Sequence, residues 1–274
     1  FTQDDAHIFC TPEQIEDEVV SCLQFALDTL KVFGFEHYEA EISTWDGGAS
    51  GKYDGTPDLW ELAEGALKRA VGRLGINAPV MADEAAFYGP KIDFDVTDSI
   101  GRHWQLGTIQ LDYNAPERFD LTYTGEDNAT HRPVVIHRAV SGSFERFIAI
   151  LIEHTAGDFP LWLAPEQGRG LSVTDRAAEH GAAVVRRLRA AGLRADLDAR
   201  NEKLGFKIRE AEVTKIPVIA VVGDKEASQD MVAPRWRGEG NRPAQAVGEF
   251  VAEVVSRAAM PGVAAAAAGP VGAD

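Results

Sequence analysis

Hydrophobic and polar positions along this chain follow two grammars that change near residue 160. Residues 1–10, FTQDDAHIFC, alternate as a strand would, so Gln3, Asp5 and His7 project from one face and Thr2, Asp4, Ala6 and Ile8 from the other. Thr11-Pro12-Glu13-Gln14 has the marks of a helix start: a capping Thr, Pro at the first helical position and Gln in the capping-box slot. Ile15, Val19, Leu23, Ala26, Leu27 and Leu30 then recur at helical spacing, and Gly34 supplies the stop. Tyr38, Ala40 and Ile42 alternate as a strand, a Gly-rich stretch covers 46–55, and a second helix is predicted over 58–74. The Gly-rich stretch has neither a Walker pattern nor a strand running directly into it, which predicts a loop rather than a phosphate cradle.

Two strands are predicted next, over 88–96 and 104–111, each with one polar and one apolar face. Thr108 and Gln110 share a side, whereas Gln105 has the opposite parity. A bulge at Gly107 would turn Gln105 onto the same side. A strand over 134–137 runs through the small residues 139–143 into a helix over 144–154. Several strands with few helices predict a mostly antiparallel α+β core. Beyond Pro160 a short strand over 161–164, a helix over 175–191, a strand near 193–197, a helix over 206–215 and the apolar run 217–223 alternate. That alternation predicts a parallel-sheet α/β domain. The expected organisation is a core over 1–160, a second domain over 161–258 and a low-complexity, disordered tail over 259–274.

Charge sharpens this division. The net charge of −16 is uneven: residues 1–160 hold 11 basic against 28 acidic side chains, and residues 161–257 hold 16 against 14. Bulk charge therefore argues against general nucleic-acid affinity, and any such contact must be local. Two cysteines, Cys10 and Cys22, are too few for a disulfide framework and suit a reducing compartment. No apolar run reaches the ~20 residues that span a bilayer, and no targeting signal is visible. A cytoplasmic location without membrane or DNA partners is expected. The chain begins with Phe inside a patterned strand, whose backbone groups need partners later in the chain or in sequence preceding it.

On spacing alone, Gln3, Asp5 and His7 fit a ligand floor or a solvated edge strand equally well. Longer motifs break the tie. The stretches YGPKIDF, WQLGTIQLDY, AVSGSFERFIAIL, NEKLGFKIREAE and PVIAVVGDKE occur in that order. With them the chain resembles the threonyl branch of the class II aminoacyl-tRNA synthetases over roughly residues 1–257. The opening strand is similar to the second strand of motif 2, residues 139–151 are similar to motif 3, and the later stretches are similar to the shared anticodon-binding domain. The fold so implied is an α+β antiparallel-sheet core, entered at motif 2, followed by an α/β anticodon-binding domain.

The resemblance implies ATP-dependent activation of threonine to threonyl-adenylate and transfer to tRNA(Thr). Orientation and charge stabilisation would carry such a reaction. By position, Phe1 and Arg146 would sandwich adenine, and Gln105 and Thr108 would contact ATP, bound with Mg2+. Gln3, Asp5, Tyr88, Lys91, Gln110 and Ser143 would surround threonine or the adenylate, with Arg146 and Lys91 as the catalytic cations. His7 and His137 would be two of three zinc ligands, the third a cysteine upstream of Phe1. Asn201, Lys203, Arg209, Lys215, Glu226 and Arg235 would contact the anticodon. Basic residues are sparser than that pattern leads one to expect after Arg235, where Trp236-Arg237-Gly238-Glu239-Gly240 follows. The resemblance also implies a longer, homodimeric parent whose motif 1, motif 2 arginine and editing domain precede Phe1, so the chain alone is expected to bind zinc poorly and to be inactive. A non-catalytic tRNA- or RNA-binding fragment or paralogue is the alternative, and Gln3, Asp5, His7, His137 and Arg146 together weigh against it. A sister synthetase such as the prolyl enzyme is a second alternative, against which His7 and His137, with Gln3-Asp4-Asp5, point to threonine.

Overall fold

The computed structural model describes residues 1–48 and 51–261. Two positions of the Gly-rich loop and residues 262–274 of the expected tail lie outside the described residues. Two compact units divide between His154 and Thr155; the change of pattern at Pro160 comes just after.

The first unit is a six-stranded sheet with helices on its apolar face. Its elements are β1 (Ala6–Cys10), α1 (Ile15–Val32), β2 (Glu39–Thr44), α2 (Pro57–Arg73), β3 (Val80–Ala82), β4 (Lys91–Thr97), β5 (His103–Asp112), α3 (Asn114–Arg118), a small hairpin of β6 (Tyr123–Thr124) and β7 (Thr130–His131), β8 (Val134–Ala139) and α4 (Phe144–His154). The strands lie in the order β1-β8-β5-β4-β2-β3, antiparallel except for the β2–β3 pair. Alternation decides the two sides. Ile92, Phe94, Ile109, Leu111 and Ile136 are buried together with Val19, Leu23 and Leu30 of α1 and Ala63, Leu67 and Ala70 of α2. The Thr11 N–H donates to Gln14 Oε1 at 2.9 Å, as the capping box predicts, and the Gly34 N–H closes α1 on the Lys31 carbonyl at 3.0 Å.

The strand expected over 1–10 is shorter in the structure, starting at Ala6, with Gln3 making only an isolated bridge to Ser143. Asp4 is the reason. Its carboxylate accepts the backbone N–H groups of Val140 (2.9 Å) and Ser141 (3.1 Å), and these side-chain bonds stand in for the ladder.

The second unit contains β9 (Gly168–Ser172), α5 (Ala178–Ala190), β10 (Ala195–Asp198), α6 (Leu204–Val213), β11 (Val218–Val222), α7 (Asp224–Ser228), β12 (Met231–Trp236) and α8 (Val247–Arg257). Its sheet runs β10-β9-β11-β12, parallel across the first three strands and antiparallel at β12. The strand expected over 161–164 is a turn, with Leu163 and Ala164 N–H both donating to the Pro160 carbonyl at 2.9 and 3.0 Å. The first strand is instead β9. An added Cβ at Gly170 would sit 2.8 Å from Val185 of α5, so close helix–strand packing requires glycine there and erases the apolar pattern a strand normally shows.

Candidate active site

Register brings one polar side chain after another onto the sheet face opposite α1 and α2. Lys91 pairs with Gln110, Asp93 with Thr108 and Asp95 with Gln105, while Phe94 pairs with Gly107. Leu106 is therefore left over as a bulge. That bulge, one residue before the Gly107 expected, corrects the parity of Gln105 relative to Thr108 and Gln110. The β8 turn presses against the same spot: Gly142 has φ +64°, and a Cβ there would collide with the Leu106 carbonyl. Gln110 pairs in turn with His137, and His137 with His7.

These side chains bond to one another. The Tyr88 hydroxyl donates to Gln110 Oε1, Gln110 Nε2 donates to Thr108 Oγ1 at 3.0 Å, Thr108 Oγ1 donates to Asp93 Oδ1 at 2.6 Å, and the Lys91 ammonium donates to Asp93 Oδ2. Asp93 is buried at 2% exposure, so the chain ends on a carboxylate that water does not reach. Burial pushes the Tyr88 hydroxyl pKa up, and the carboxylates of Asp112, Asp5 and Asp93 push it further, keeping the phenol a donor. Asp5, just before β1, is exposed and near enough for its charge to act on Tyr88.

His7 and His137 stand edge to face, with ring centroids 4.8 Å apart, and Tyr88 packs 5.4 Å from His137. His137 Nε2 lies 2.8 Å from Asp112 Oδ2, and the other oxygen of Asp112 accepts the N–H groups of Asn114 and Ala115 at 2.8 Å. Burial works to raise the Asp112 pKa, but the His137 bond and these backbone donors outweigh it and hold the carboxyl below its ordinary value. A carboxylate on one ring nitrogen leaves the other free as a ligand, the arrangement typical of metal-binding imidazoles. No third His, Cys, Asp or Glu joins them in a metal-sized group among the described residues.

At the other end of the pocket, the chain start and α4 are tied together. Phe144 N–H donates to the Thr2 carbonyl at 2.8 Å, Thr2 N–H to the Glu145 carboxylate at 3.0 Å, and Arg146 N–H to Ser143 Oγ at 3.3 Å. The Arg146 guanidinium donates to the Gln105 carbonyl at 2.9 Å, and Phe1 is 93% exposed. Asp4, Asp93 and Asp112 are site-building residues that the sequence reading passed over. Alternation places Asp93 beside Lys91 and Asp112 beside Gln110, and this was the signal available.

The second unit looks different. Asn201, Lys203 and Arg209 are exposed at the start of α6 and along it, with no side-chain hydrogen bond among the described residues. Lys215, Glu226 and Arg235 are engaged internally. Lys215 Nζ donates to the Ala156 carbonyl, Glu226 Oε2 accepts the Gly223 N–H at 2.9 Å, and Arg235 bonds Glu212 at 2.8 Å and Asn241 at 2.7 Å.

Comparison with known proteins accounts for both units. Residues 1–155 match the family described as tRNA synthetase class II core domain (G, H, P, S and T), and residues 167–257 match the family described as anticodon binding domain. The threonine–tRNA ligase of Acidobacterium capsulatum is 51% identical over 251 residues, which are 92% of this chain and 37% of that protein. That of Syntrophotalea carbinolica is 53% identical over 88% of this chain and 37% of its own length. The chain thus spans under two fifths of these relatives. A structure described as the RNA binding domain of threonyl-tRNA synthetase from Cryptosporidium parvum aligns with a TM-score of 0.89 and 36% identity, covering 96% of this chain and 65% of that one. Histidyl-tRNA synthetase of S. aureus shares the fold at a TM-score of 0.53 and 16% identity. With its antiparallel sheet, its motif 3-like strand-to-helix turn and a matched core over more than half its length, the chain belongs to the class II aminoacyl-tRNA synthetase family.

Proposed function

We propose that this chain forms the amino-acid-activating face and the tRNA-reading domain of a threonine–tRNA ligase. Support comes from one observation above all: the Tyr88–Gln110–Thr108–Asp93–Lys91 chain of hydrogen bonds beside the His7–His137 pair, in a sequence about half identical to threonine–tRNA ligases. Threonine carries an ammonium, a hydroxyl and a carboxylate, and the pocket offers donors and acceptors for all three. Asp5 suits the ammonium or hydroxyl, and Gln3 and Gln110 supply amides. The substrate carboxylate attacks the α-phosphate of ATP and pyrophosphate leaves. The terminal ribose hydroxyl of tRNA(Thr) then displaces AMP from the adenylate. Neither step requires a side-chain nucleophile, so the residues act by orientation and by stabilising charge.

In this reading Lys91, fixed by Asp93, faces the developing negative charge at the reacting phosphate. Arg146 covers one face of the adenine, Phe1 is available for the other, and Gln105 and Thr108 border the nucleotide, which carries Mg2+. His7 and His137, the latter oriented by Asp112, would hold zinc with ligands from outside the described residues; the bound metal would supply a Lewis-acidic position for the substrate hydroxyl. A site that binds the substrate hydroxyl directly rejects valine, the isostere lacking it, by more than an apolar pocket gains from one methylene. Asn201, Lys203 and Arg209 present free donors to unstacked anticodon bases, joined by Lys215, Glu226 and Arg235 on release from their internal partners. Homodimerisation and a cytoplasmic location belong to the same reading; among the described residues, no helix is long and apolar enough to cross a membrane.

Pyrophosphate exchange by the full-length protein tests this. Threonine should stimulate it and valine should fail to do so by about 10⁴-fold or more. Stimulation by proline or histidine instead would overturn the assignment.

A further inference from the structure

The tip of the β4–β5 hairpin carries a cluster around a buried carboxylate that the chemistry above does not use. The Asp98 side chain is wholly buried, at 0% exposure. Its carboxylate accepts the indole N–H of Trp104 at 2.8 Å, Arg102 Nε at 2.5 Å, and the backbone N–H groups of Arg102 and Ile100 at 2.8 and 3.1 Å. Three of these donors hold the carboxylate in place, and the fourth anchors the indole to it. The Arg102 guanidinium lies 5.2 Å from the Trp104 ring, and the Arg146 guanidinium lies 5.7 Å from it.

Arg146 needs such a partner. It sits in the first turn of α4, where the helix dipole opposes a cation. Its long side chain is exposed, and a single bond to the Gln105 carbonyl leaves much rotamer freedom. A guanidinium is planar with two faces, and a ring within about 6 Å of one face attracts it while leaving the other face free. From this geometry we propose that Trp104, held by Asp98, is a positioning residue that sets the Arg146 guanidinium for the adenine of ATP. The proposal rests on the reading of Arg146 as a nucleotide contact.

The test compares Trp104→Leu, Trp104→Phe and Asp98→Asn in the full-length protein. ATP affinity is read by equilibrium dialysis, and KM for ATP and for threonine by pyrophosphate exchange. Trp104→Leu is expected to weaken ATP binding about tenfold and raise KM for ATP to match, with KM for threonine unchanged. Trp104→Phe, which keeps a ring face, should recover to within about threefold, and Asp98→Asn should fall between the two. In an Arg146→Ala background Trp104→Leu should cost nothing more, because it acts through the residue already removed. If Trp104→Leu does not fold, Asp98→Asn carries the same double-mutant comparison. ATP affinity within twofold of wild type, an additive loss on top of Arg146→Ala, or equal rises in both KM values would overturn the proposal. Loss of exchange with every amino acid while ATP binding follows the expected order would instead overturn the ligase reading and leave this one standing.

Discussion

The polar face of the first sheet and the outer surface of α6 are both rich in hydrogen-bonding side chains, but they spend them differently. On the sheet, Tyr88, Gln110, Thr108, Asp93 and Lys91 are bonded to each other before any ligand arrives. Just before α6 and along it, Asn201, Lys203 and Arg209 are exposed, with no side-chain hydrogen bond among the described residues. The contrast matches the two ligands proposed. A small adenylate is held by a few contacts and gains most from a site whose rotamers are already fixed. An anticodon loop brings unstacked bases over a wide surface, where adaptable side chains can settle on base edges.

Four changes probe that contrast, in order of decreasing effect. Lys91→Gln, which removes the cation but keeps a donor for Asp93, should lower threonine-dependent pyrophosphate exchange in the full-length protein by about 10²-fold or more, the scale of losing one charge-stabilising group, while leaving tRNA retention on filters unchanged. Equal loss in both assays would mean that the two regions are not separable. Asp112→Asn removes the group that orients His137 and should cost about 10–100-fold in zinc affinity, read by metal competition. Unchanged affinity would remove His137 from the zinc site.

Arg209→Ala should weaken tRNA binding by about tenfold, a typical figure for one base-edge contact, without touching exchange measured in the absence of tRNA. The smallest effect concerns acid stability of the second unit. Arg200 beside Asp198 holds that carboxyl below the ordinary value of 3.8, against the upward push of burial. A depressed carboxylate stabilises the fold above its unfolded value and loses that contribution as pH falls through the folded one. Asp198→Asn should therefore lower Tm by roughly 2–4 °C near pH 7 and make little difference in strong acid. A gap that widens on acidification would reverse the sign and contradict the assignment.

The regions also differed in how openly the sequence displayed them. In the first unit β4 and β5 each have one polar and one core face, so alternation survives and even the Leu106 bulge is betrayed by the parity of Gln105. The site residues on those strands were legible for the same reason. Asp4 was not, because its task of holding the Val140 and Ser141 N–H groups depends on a turn far away in sequence. In the second unit, β9 hides behind Gly168 and Gly170, and at Gly170 α5 packs too closely for a side chain. Leu161 imitates a strand residue because it packs on the core of the second unit while its backbone turns. The antiparallel strand β12 contains Pro234, which breaks the expected pattern at a position facing Ala220. Patterning reported sheets with unlike faces well, and failed where backbone packing replaced side-chain packing.

The central claim, that one region is organised before binding and the other by it, is tested most directly by amide hydrogen exchange. The full-length protein would be followed free, with a non-hydrolysable threonyl-adenylate analogue, and with tRNA(Thr). The β4, β5 and β8 amides should already be protected in the free protein and change little with the analogue, whereas residues 199–203, which precede α6 and lie outside helix and strand, should exchange readily until tRNA is added and then gain protection. Large new protection across β4 and β5 on analogue binding, together with no response of residues 199–203 to tRNA, would contradict it.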